Sequence, residues 1–272
     1  MLESFAATEV SSRSLGLLRI FAALTIWVEF ASPWVAHRMD DSAGTMLLAW
    51  VVLVAAWFVV FGFKTRWATA IMALAFAGLH LYYGVALGNA KLAAPVQEFQ
   101  ITVLLALTPC GRSLSVDRAL AVRRAKRDGC GPPPERICWW QLELFIVQTA
   151  TIYLWLGYEG CDPRWLSGEL LERQILQWYG SDMFVVHPGF HRFAVVAAWT
   201  ATIVEFGLVV GLLVRRLRPY AMWVALAFLF VHMLVFSTSY LGSYVFLMMM
   251  TMLIACLSPQ RIHDLISLQG PR

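Results

Sequence analysis

Eight long apolar runs, separated by short charged stretches, occupy most of the 272 residues. A helix that crosses the hydrocarbon core needs about 20 mostly apolar residues. The runs at 14–34, 44–62, 67–88, 95–109, 137–157, 193–214, 219–237 and 239–257 meet or approach that length. The fourth is the shortest, opens on Pro95 and ends on Pro109, which predicts a tilted, broken or re-entrant segment shielded by its neighbours. Composition agrees, with 60% hydrophobic and 14% charged residues against about 45–50% and about 25% in a soluble domain. No run alternates as barrel strands do. The expected fold is all-α: one polytopic membrane bundle over 1–272, with about eight transmembrane helices.

The basic residues predict its orientation. With the amino terminus taken as cytoplasmic, 15 of the 21 Lys and Arg fall on the cytoplasmic side and 5 outside, while Arg19 lies within the first span. Such a split is the positive-inside pattern. It predicts a multi-pass protein of the cell (inner) membrane with both termini cytoplasmic. The pI near 8.9 then reflects charge held beside anionic lipid, and membrane lipid is the expected partner. The basic run at 118–127 lacks interleaved aromatics, so nucleic acid is not expected. Glu3 and Glu9 precede the first run and no small-residue cleavage pattern follows it, so that run is expected to be kept as a span.

Two connections are long. Cys110–Arg136, on the cytoplasmic side, predicts a helix over Ser113–Arg127, then a stop at Gly129, Gly131 and Pro132–Pro134. Gly157–Arg192, outside, predicts a helix over Ser167–Tyr179 with Leu170, Leu171, Ile175, Leu176 and Trp178 on one side. It is expected to lie flat on the outer leaflet or to cap the bundle. The five cysteines match no zinc spacing, and no metal site is expected.

Polar residues inside spans cost several kcal/mol unless they face protein or water. Arg19, Glu143 and Glu205 stand at similar shallow depth from the cytoplasmic ends, which predicts a buried ion-pair cluster serving as a staple or as a relay. Glu29, His80, Gln148 and His232 form a second level further out. Two histidines at matched depth suit haem ligation or interhelical hydrogen bonding. The soluble-enzyme signatures H-E-x-x-H and G-x-S-x-G, and the phosphate loop, are absent from the sequence.

The order of segments carries a resemblance. The fifth run reads Gln148–x4–Tyr153–x3–Gly157 and continues to Trp165–Leu166–Ser167–Gly168. Pro109–Cys110–Gly111–Arg112 and Ser115–Val116–Asp117 come before it; His232, Phe236, Ser243–Tyr244 and Ser258–Pro259 follow. Arg19 has Glu29 ten residues on. In this order and spacing, over roughly 14–260, the chain resembles the horizontally transferred transmembrane (HTTM) domain. That domain is the membrane part of the vitamin K-dependent gamma-carboxylase family and its bacterial relatives. The resemblance implies a bundle that opens toward the outer face and handles a lipid-soluble or secreted partner. It also implies a lysine pair between the glycine and the tryptophan, one lysine resembling the base that deprotonates vitamin K hydroquinone. Glu159 and Gly160 stand there instead, and residues 91–100 lack the family's histidine.

Two classes of function follow. One is a membrane protein without carboxylase activity that binds a lipid-soluble ligand, a secreted peptide or another membrane subunit in an outer-face pocket. Glu159, Trp165, Gln148, Tyr153, Glu29, His80 and His232 are its candidate residues. The other is a quinone- or haem-dependent redox enzyme using Glu29, His80 and His232, or a peptide-modifying enzyme using Glu159.

Overall fold

The computed structural model describes residues 9–37, 43–81, 93–179, 189–236 and 249–257. They form an all-α fold with one short ribbon. The elements run β1 (Glu9–Ser11), α1 (Arg13–His37), α2 (Ala43–Phe61), α3 (Thr65–Leu81), α4 (Ala93–Leu107) and α5 (Val116–Arg127), then β2 (Arg136–Cys138) and α6 (Trp140–Glu159). They continue with α7 (Pro163–Leu166), α8 (Glu169–Tyr179), α9 (Gly189–Leu213), α10 (Arg218–Phe236) and a 3₁₀ turn over Leu253–Cys256. Most of the expected eighth span, 239–257, lies outside the described residues. The chain divides into two compact units, Met1–Phe145 with Leu257–Arg272, and Ile146–Cys256.

In the first unit α1 packs on α2, α2 on α3 and α3 on α4. The sorting of side chains is by size rather than polarity. On α2, Ala49, Val52, Leu53, Ala56 and Val59 are buried, while Leu47, Trp50, Val54, Trp57 and Phe61 are exposed. A helix that is apolar all round cannot owe its exposed face to water. Small residues on the inner side let backbones approach, which is how helices associate in lipid.

The second unit repeats the pattern. On α9, Ala194, Ala198, Thr202, Glu205, Leu208 and Leu212 form a buried stripe at spacings of three and four. Phe193, Val196, Trp199, Ile203, Phe206 and Val210 face outward. Two exposed threonine hydroxyls are satisfied within their own helices. Thr151 and Thr200, both exposed, donate to the carbonyls of Val147 at 2.9 Å and Val196 at 2.7 Å. An apolar solvent requires such self-satisfaction. Among the described residues, α9 is the helix both long and apolar enough to cross a membrane, by length and composition. Met46–Phe61, Thr65–Leu79, Glu98–Leu107 and Arg218–Met233 are apolar but shorter.

The ribbon is the part that the hydropathy pattern did not predict. Glu9, Val10 and Ser11 pair antiparallel with Cys138, Ile137 and Arg136. Ile137 is buried under it. Beside it the Glu135 carboxylate receives Arg13 Nε at 2.9 Å and Arg118 Nε at 3.3 Å, and Ser12 shares a hydrogen bond with Ser113. These contacts tie the start of α1 to both ends of the basic connection. The helix expected from Ser113 begins at Val116, because Ser115 is its N-cap and accepts the Arg118 N–H at 3.0 Å. Leu114, just before, sits at φ 53°.

Candidate functional site

The turn between α6 and α8 is built around three glycines. A Cβ on Gly157 would come within 3.2 Å of the Phe206 ring, and one on Gly160 within 2.7 Å of Thr202 Oγ1. The Thr202 hydroxyl fills that space and contacts the carbonyls of Gly160 at 3.2 Å and Ala198 at 3.1 Å. Gly168, at φ +79°, lies against the α9 backbone, where a Cβ would meet Val195 N at 2.7 Å. Between them Asp162 caps α7, accepting the Arg164 N–H at 2.8 Å. That bond, with the Arg164 side chain behind it, holds the Asp162 carboxyl below its ordinary range. Helix α8 begins at Glu169, two residues after the expected start, and buries Leu171 and Ile175 against Phe190 and Ala198.

The expected pocket residues divide between the units. Gln148, Tyr153, Glu159, Trp165 and His232 belong to the second; Glu29 and His80 belong to helices of the first, with side chains outside those described. Glu159 is exposed at the end of α6 and accepts the Trp155 indole N–H at 2.8 Å. Gln148 is half-buried. The half-buried His232 stacks obliquely on Phe228, centroids 6.3 Å apart. Trp165 packs on the cluster of Leu171, Ile175, Phe190 and Ala198. Its indole N–H is buried and meets no acceptor among the described residues. The Tyr153 hydroxyl, on a wholly buried side chain, is in the same position. A buried donor without an acceptor costs about 1–3 kcal/mol.

Of the expected ion-pair cluster, Arg19 and Glu143 lie in the first unit and Glu205 in the second. Arg19 is wholly buried, yet its guanidinium donates to the carbonyls of Cys110 at 2.9 Å, Leu114 at 2.6 Å and Ser113 at 3.5 Å. Glu143 instead receives the Trp139 indole N–H. The physical reason is that the turn after α4 leaves several carbonyls outside any helix, and a planar fork satisfies them together. Glu205, in the second unit, is 8% exposed on the inner stripe of α9. Sequence reading missed Glu98, a wholly buried acid on α4, although a lone acid in an apolar run is the same signal that drew attention to Arg19. Asp117, read in the sequence only as part of Ser115–Val116–Asp117, accepts the N–H groups of Lys64 and Thr65 with its carboxylate, each at 2.8 Å.

The HTTM domain model matches residues 26–259. The chain belongs to the HTTM domain family. No curated protein and no solved structure shows a match. The HTTM family is membrane-associated, and with the apolar helix α9 it gives the chain its membrane character.

Proposed function

We propose that this HTTM protein is an eight-span protein of the cell membrane with both termini cytoplasmic, and that the α6–α9 turn forms an outer-face pocket. The pocket takes a lipid-soluble ligand, a secreted peptide or a partner subunit, and it does not carry out carboxylation. The observation behind this reading is the filled space at Gly160. A lysine there would drive its Cβ into Thr202 Oγ1, 2.7 Å away, and neighbouring Glu159 is engaged by Trp155. A general base alone usually contributes about 10²–10⁴ in rate, and the glycine at position 160 has no side chain to take a proton. What the turn keeps is shape, together with the Trp165 N–H, which has no acceptor among the described residues and can bind a carbonyl oxygen.

Purified protein should be given hydroquinone, bicarbonate, oxygen and a glutamate-rich peptide. The expected mass spectrum shows unmodified peptide. Carboxylated peptide would overturn the reading. A quinone or the same peptide should still quench the protein's tryptophan fluorescence. Trp165→Phe removes one hydrogen bond of about 0.5–1.5 kcal/mol, so the affinity should fall about two- to tenfold. Full affinity in that variant would remove Trp165 from the pocket.

A further inference from the structure

A recess lies in the first unit, far in sequence from the α6–α9 turn. It is a groove of about 410 Å³ between α2 and α3, walled by Trp50, Val54, Phe58, Trp67 and Ile71, with Lys64 among its lining residues. All five wall side chains are exposed. Lys64 sits at the turn joining the two helices and is also exposed. No ion pair is made by its ammonium group among the described residues.

The turn is built to hold that lysine in an uncommon conformation. Its φ of 45° is in the left-handed region, which a residue with a Cβ seldom adopts. Asp117 fixes it there, accepting the Lys64 N–H and, at 2.8 Å each, the N–H and hydroxyl of Thr65. The ammonium, without an ion-pair partner among the described residues, lies at one end of an apolar groove. Along α2 the groove runs from Trp50 to Phe58, about 12 Å of helix, close to the roughly 15 Å depth of one leaflet's hydrocarbon. Trp67, three residues from Lys64, suits the water–lipid boundary.

We infer that this groove binds one anionic phospholipid, with an acyl chain between Trp50, Val54, Phe58 and Ile71 and the phosphate on Lys64. Charge selects the headgroup, with Arg66 exposed two residues further on. The groove's length and apolar wall select the chain. The site takes only its leaflet, the cytoplasmic one, from the proposed topology; the binding itself does not depend on it.

The test is native mass spectrometry of the full chain, released from nanodiscs of dioleoyl-phosphatidylglycerol or of dioleoyl-phosphatidylcholine. One phosphatidylglycerol should stay bound to the monomer and phosphatidylcholine should be lost. Lys64→Gln should weaken retention about fivefold, the effect of one basic residue near an anionic surface. Val54→Trp, which fills the groove from an exposed position, should abolish retention without lowering the melting temperature. Arg123→Gln, on exposed α5, should change nothing. Equal retention of the two lipids, or full retention in Lys64→Gln, would overturn the site. Displacement by glycerol phosphate would show that the headgroup alone binds, and a dimer replacing the lipid-bound monomer would make a second copy the occupant. Either result also overturns it. Because each nanodisc carries the same lipid in both leaflets, a reversed orientation would leave these results intact.

Discussion

Arg19 illustrates how a charge survives inside an apolar bundle without a carboxylate in contact among the described residues. Three carbonyls from one turn, Cys110, Ser113 and Leu114, share its fork, and hydrogen bonds to a charged group contribute about 1.5–3 kcal/mol each. Arg19→Leu should therefore lower stability by about 3 kcal/mol or more, read as thermal unfolding in detergent. Arg19→Lys should recover only part, since an ammonium cannot bridge the carbonyls as a planar fork does. Glu143→Gln should add to Arg19→Leu without coupling, because Glu143 takes Trp139 instead and independent sites add. Strong coupling between the two would restore the ion pair that their matched depth suggested. The same turn makes Gly62 sensitive. It sits at φ +68°, and a Cβ would come within 2.7 Å of Arg19 Nη1. Gly62→Ala should cost more than about 1 kcal/mol, and an unchanged melting temperature would show that the turn can relax.

At the scale of elements, Asp117 is the hinge pin of the basic end. It opens α5, yet its carboxylate caps the first turn of α3 through Lys64 and Thr65, and its own N–H donates to the Gly62 carbonyl at 3.0 Å. Asp117→Ala should destabilise by about 1–2 kcal/mol, the usual cost of a lost cap. Asp117→Asn should be milder, since one oxygen still accepts. Equal losses would argue that charge rather than geometry is what Asp117 supplies. This cap shows why the sequence was readable only in part. Long apolar runs announce their helices through local composition, so α2, α9 and α10 fall close to the expected 44–62, 193–214 and 219–237. The β1–β2 ribbon is three residues on each side and joins positions more than 120 apart, so no local period marks it. The candidate site was similarly half legible. The glycines and Trp165 showed in the spacing, whereas Thr202 filling the place of a side chain on Gly160 depends on which face of α9 turns inward.

For the whole molecule, the exposed side chains of α2, α9 and α10 are as apolar as the buried ones, and the basic residues gather at one end of the sequence's alternating connections. Both features fit the proposed bundle, with lipid as its outer solvent and a different compartment at each end. The native cysteines can test this directly. Cys130 and Cys161 are exposed, and Cys110 is buried. Burial pushes the Cys110 thiol up to about 12, so at pH 8 it stays protonated and unreactive. The sign follows from a folded pKa above the ordinary thiol value: the contribution to stability is complete below that value and fades as pH climbs toward about 12. In variants retaining one cysteine, a membrane-impermeant maleimide at pH 8 should label Cys161 in intact, right-side-out cells and Cys130 only in inverted vesicles. Cys110 should resist labelling on both sides until the protein is unfolded. Labelling of Cys130 and Cys161 from the same side would rule out the eight-span arrangement, because the fifth run separates them. An interchange of the two sides would instead keep the spans and reverse the orientation. The outer-face pocket would then open into the cytoplasm.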